Sequence, residues 1–69
     1  MRISARNQLK GTVVEIKKGA TTSHVRVDIG AGRIMTSSIT NEAVDELGIK
    51  ATDNVTMVIK ASDVMIAVD

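Results

Sequence analysis

Apolar residues in this chain recur at alternate positions more often than at helical spacing. The pattern is cleanest over residues 24–29, where Val25, Val27 and Ile29 fall on one side and His24, Arg26 and Asp28 on the other. A period of two belongs to a half-buried strand. Upstream, residues 9–17 place Leu9, Val13, Val14 and Ile16 in a strand that also holds Gly11, which is expected to mark a bulge or tight bend. Residues 18–23 read as a turn. Gly30-Ala31-Gly32 reads as a hairpin turn, since glycine accepts positive φ without steric cost. Residues 34–39 give a third strand with hydroxyls at Thr36, Ser37 and Ser38.

The period then changes. Residues 40–48 predict a short helix with Thr40 as N-cap, Glu42 near the positive end of the dipole and Gly48 as the stop. Ile39 and Val44 sit where a hydrophobic staple forms. After a turn at residues 51–54, residues 55–60 and 64–68 predict two more strands. Both are apolar on both faces: Val55, Met57 and Ile59 against Val58, then Val64, Ile66 and Val68 against Met65 and Ala67. A small barrel has only one interior, so the second apolar face predicts a subunit interface. Five strands with a helix between the third and fourth define an all-β, OB-fold-like Greek-key barrel, a single domain over residues 1–69.

Composition sharpens the expectation of an oligomer. A 69-residue chain buries a modest core, and this one has no cysteine, no aromatic residue and a single histidine, yet is 43% hydrophobic. With no disulfide, metal site or aromatic area to staple it, association is the expected stabiliser. A net charge of +1 is too small to draw a polyanion by field alone. The missing aromatics also remove the stacking platforms of a nucleic-acid-binding OB module, the alternative reading. Met1-Arg2-Ile3-Ser4 has no apolar stretch behind it, so no signal peptide is expected, and the lack of cysteine is compatible with the expected cytoplasmic location. No nucleophile elbow or paired acid–base constellation points to an enzyme.

The chemistry concentrates in two short phrases, Ser4-Ala5-Arg6-Asn7-Gln8 and Ile59-Lys60-Ala61-Ser62. Each pairs a cation with a hydroxyl and contains no carboxylate. Such donor-only segments suit a small multivalent anion, through charge-assisted hydrogen bonds and the rigid fork of arginine. In an extended segment Ser4 shares a face with Arg6, while the small Ala61 and Ser62 let an anion approach the backbone N–H groups. Bland readings stand beside these: Arg6 and Lys60 as solvated charges, Ser62 and Asp63 as a turn, Asn7 and Gln8 as residues that position the segment. Lys18-Gly19-Ala20-Thr21-Thr22 holds a cation and two hydroxyls and is a possible second anion site, although a solvated hairpin is the simpler reading. His24 reads as a surface residue and the four methionines as packing filler.

In order, SARNQ, ITNEAV and IKAS resemble the Mop domain of the molbindins, small proteins that bind molybdate and tungstate, and the resemblance runs from about residue 3 to residue 68. It implies the same OB-like fold and a hexamer built as a trimer of dimers. It also implies an oxyanion site made by Ser4, Ala5, Arg6 and Asn7 with Lys60, Ala61 and Ser62, joined by Thr40 before the helix. Capping the helix and binding the anion are expected to compete for Thr40. Some members carry a serine three residues after this threonine. Ala43 stands there in this chain, so that hydroxyl contact is lost. The ligand expected is molybdate or tungstate itself, without an organic cofactor and without direct side-chain coordination of the metal. The chain shows no DNA-binding or ATPase segment, so storage and homeostasis are the expected roles.

Overall fold

A computed structural model of the chain describes all of residues 1–69. Its elements, in order, are β1 (Asn7–Lys18), β2 (Thr22–Asp28), β3 (Ile34–Thr40), α1 (Asn41–Leu47), β4 (Asn54–Ile59) and a 3₁₀ turn at Ala61–Asp63. The strands form one curled antiparallel sheet in the order β3-β2-β1-β4. β1 is shared by two neighbours. Its first half pairs with β4, from Asn7 opposite Ile59 to Thr12 opposite Asn54, and its second half pairs with β2, ending at Lys18 opposite Ser23.

The change of partner occurs at a bulge, where the β1–β2 register slips between Val13 and Glu15. There the Val13 N–H donates to Asp53 O at 2.9 Å, and Val13 O accepts from Thr52 N–H at 2.8 Å. The loop before β4 thus satisfies the backbone groups that the bend takes out of the ladder. Gly11, expected to be the bulge, instead allows a close approach: a Cβ added to it would lie 2.6 Å from both Asp28 O and Val27 Cγ1.

The alternation in β2 is realised as read. Ser23, Val25 and Val27 are buried while His24 and Arg26 face solvent. Val13, Val25, Val27 and Val44 form the core, with Ile16, Ile29, Ile39, Ile49, Val55 and Met57 packed against it. The staple residues therefore both reach this cluster. The caps of α1 are also as read: the Thr40 side chain accepts from Ala43 N–H at 3.1 Å, and Gly48, in the left-handed region at φ 63°, closes the helix on Asp45 O and Val44 O. No helix is long and apolar enough to cross a membrane.

One expected strand is missing. Residues 64–68 pair with nothing in their own chain, so the sheet has four strands and not five. Two turn bonds, Asp63 N–H to Lys60 O and Val64 N–H to Ala61 O, precede this stretch. Met65, Ile66 and Val68 are left 92%, 87% and 90% exposed. The edges β3 and β4 meanwhile face each other across an open apolar groove lined by Met35, Ile39, Val55, Met57 and Ile59. A fifth strand of a closed OB-like barrel would run in that groove.

Gly11→Ala tests the close approach. The added methyl meets backbone, which has no rotamer to escape through, so a loss of about 1–3 kcal/mol in chemical unfolding is expected. An unchanged unfolding midpoint would contradict the packing described for β1 and β2.

Candidate functional site

Antiparallel pairing of β1 with β4 brings the two donor phrases to the same end of the sheet. Asn7 lies opposite Ile59, and its Nδ2 donates to Ile59 O at 3.3 Å. One residue further along each chain direction come Arg6 and Lys60, both exposed. The two ion pairs of the molecule are Lys18–Asp45 and Arg26–Glu15, and neither uses Arg6 or Lys60. This end of the sheet therefore carries two positive charges with no paired carboxylate, although Asp63 closes the following turn. Asn7 spends one amide hydrogen fastening β1 to β4. Gln8 donates weakly to Ala5 O at 3.4 Å and braces the segment from within.

Ser4 and Ser62 are exposed at this end, and Ala61 and Ser62 belong to the 3₁₀ turn that follows β4. Both hydroxyls and both cations are thus on one margin of one chain. Thr40 is not with them. It ends β3 opposite Thr22, and Thr22 lies beside the Lys18 end of β1. The sheet sorts the sequence-predicted residues into two groups at opposite ends of β1: residues 4–7 with 60–62, and residues 18–22 with Thr40.

At the second end, Lys18 Nζ is engaged by Asp45 Oδ1 at 3.2 Å. An exposed pair of this kind contributes about 0–1 kcal/mol, but the neighbouring carboxylate works against an anion at Lys18. The cap alone does not use up the Thr40 hydroxyl. A hydroxyl has one proton and two lone pairs, and capping uses a lone pair to accept from Ala43 N–H. The proton stays available to donate, which is all an oxyanion asks.

Two residues at this end were not singled out from the sequence. Ser23 is fully buried and donates to Asn41 Oδ1 at 2.5 Å. Asn41 Nδ2 in turn donates to Gly19 O at 3.1 Å and Ala20 O at 3.4 Å. The signal was present: Ser23 shares the inward parity of Val25 and Val27, so a polar group there requires a buried partner.

A family model for the TOBE domain matches residues 3–66. The chain is 53% identical over 66 residues to molybdenum-pterin-binding protein 1 of Clostridium pasteurianum, covering 96% of this chain and 97% of that protein. Among solved structures, a molybdate-binding protein from Sporomusa ovata superposes with a TM-score of 0.92 at 34% identity, covering 97% of this chain and 98% of that one. The cytoplasmic molybdate-binding protein ModG, in a form with molybdate bound, gives a TM-score of 0.90 at 46% identity, covering 94% of this chain and 46% of that one.

The cap makes its own prediction. Thr40→Ala, measured without anion, should cost about 1 kcal/mol in unfolding free energy. No change would mean that the Thr40–Ala43 bond contributes nothing in solution.

Proposed function

The chain belongs to the TOBE-domain family and to its molybdenum-pterin-binding proteins, and from that membership we propose that it binds molybdate or tungstate for storage and homeostasis. One observation carries the reading: Arg6 and Lys60 flank the paired residues Asn7 and Ile59 at one end of the sheet, outside both ion pairs. The bound molybdate of the similar ModG supports the choice of ligand. Binding, rather than catalysis, is the role this reading assigns.

The mechanism is exchange of a water shell for fixed donors. Arg6 and Lys60 supply charge. The hydroxyls of Ser4 and Ser62 and the backbone N–H groups near Ala5 and Ala61 supply directed hydrogen bonds, with Asn7 holding the segment in place. Molybdate stays a dianion near neutral pH, so a donor-only pocket leaves none of its oxygens mismatched. Protonated phosphate would bring an O–H that meets no carboxylate and must compete for the hydroxyl lone pairs of Ser4 and Ser62. Sulfate matches in charge and shape and must be rejected on size.

Thr40 enters the same site only from a neighbouring chain, since its own end of β1 is remote from Arg6. Oligomerisation therefore completes the site as well as the fold. The unpaired apolar residues 64–68 and the open groove between β3 and β4 are both apolar. Insertion of that segment into a neighbour's groove would close each barrel and bury the side chains that one chain leaves in water. A hexamer built as a trimer of dimers fits this reading, as does a cytoplasmic location.

Titration calorimetry should show molybdate and tungstate binding far more tightly than sulfate or phosphate. Comparable affinity for all four would reduce the site to a generic anion patch. Arg6→Ala and Lys60→Ala should each weaken molybdate by about ten- to a hundredfold, whereas Lys18→Ala should leave this site intact. Mixed oligomers of Arg6→Ala and Thr40→Ala chains should recover part of the binding, because one interface can then draw both native residues. No recovery despite subunit exchange would place Arg6 and Thr40 of each site on one chain or remove Thr40 from it.

Light scattering should find an oligomer for the full chain and dissociated species after deletion of residues 64–69. An unchanged assembly would rule out exchange of this segment.

A further inference from the structure

Asn41 spends its whole polar side chain on one turn. Its amide hydrogens go to Gly19 O and Ala20 O, its Oδ1 accepts from Ser23 Oγ, and its backbone N–H donates to Thr21 O at 2.9 Å. The orientation of the amide follows from these partners, since the two carbonyls can only accept. A helix-start residue needed only for its backbone would leave its amide to water. Here the side chain is half-buried and joins the first residue of α1 to the β1–β2 turn.

We propose that Asn41 is the positioning residue of the anion site: it clamps the turn at residues 19–22 to the start of α1 and so fixes where the Thr40 hydroxyl points. The inference rests on the reading that Thr40 donates to the oxyanion. Thr40 sits between two fixed points, its pairing with Thr22 and its cap on Ala43 N–H. Both hold their place only if the turn and the helix start keep their spacing, and Asn41 is the side chain that spans them. Lys18–Asp45 also joins the turn to the helix, but through two exposed flexible side chains that set no geometry. Ser23 gives the clamp its rigidity. With its hydroxyl fully buried, any swing of the Asn41 amide would leave a polar group without a partner. A donor held in one direction serves a tetrahedral anion better than one that must be ordered on binding.

The test separates positioning from bulk stability. Molybdate titrations are run well below the unfolding temperature on the full-length oligomer, with Asn41→Ala, Asn41→Ser, Thr40→Ala and the core truncation Val13→Ala, a buried residue outside the β3–β4 groove. Both Asn41 variants should weaken molybdate by about fivefold or more. Amide exchange should show residues 19–22 losing protection while the β1–β4 ladder keeps it. Val13→Ala should lower the unfolding temperature at least as far and leave affinity within about twofold. If Asn41→Ala does not fold, Asn41→Ser, too short to reach both carbonyls, carries the measurement. Native affinity in the Asn41 variants beside a weakened Thr40→Ala overturns the positioning role alone. Native affinity in Thr40→Ala overturns the reading of Thr40 on which the role depends. An equal loss in Val13→Ala assigns the effect to stability and also overturns it.

Discussion

Everything in this molecule hangs on β1 changing partners. Its first half is held by β4, its second by β2, and the bulge between Val13 and Glu15 turns the strand from one to the other. The bend is possible because the orphaned Val13 N–H and C=O are taken up by Asp53 and Thr52. A strand of 12 residues at about 3.3 Å each has a contour of about 40 Å, so even bent it reaches across most of a chain whose longest dimension is 35 Å. Its two ends are therefore far apart. The cations Arg6 and Lys60 are fixed at one, Thr40 and the Asn41 clamp at the other. A binding site that uses both ends needs two chains.

In the proposed function, the same strand would couple assembly to binding. Val13, Val25, Val27 and Val44 are the only buried apolar side chains, a small core for a chain with no covalent staple. Apolar area that would complete the barrel is present, but on residues 64–68, where it faces water. Its burial against a neighbour would contribute roughly 25 cal/mol per Å² and would bring neighbouring chain ends together. On the proposed function, a bound anion would add a ligand-dependent increment to that burial.

Much of this was legible in the residues. Alternation at Val25, Val27 and Ile29 identified β2, and Thr40 and Gly48 bracketed α1 with the correct caps, because these signals are local. The double-sided apolar stretch at residues 64–68 was read as a fifth strand, and no such strand forms within the chain. Its lack of a partner within the chain was not legible, because strand pairing is a long-range choice. Gly11 was read as the mark of a bulge or tight bend, while its function is room for Asp28 and Val27. The sequence also lists SARNQ, ITNEAV and IKAS in order without saying which ends meet. Register decides that: the Asn7–Ile59 pairing unites the first and third phrases and leaves the second at the far end.

Anomalous diffraction at the molybdenum edge, from crystals grown with molybdate, tests this geometry most directly. The predicted result is a molybdenum peak flanked by Arg6 and Lys60 of one chain and by Thr40 of another, with oxyanion oxygens at hydrogen-bonding distance from all three. A peak remote from Arg6 and Lys60, or one whose neighbouring Arg6 and Thr40 belong to the same chain, would contradict it.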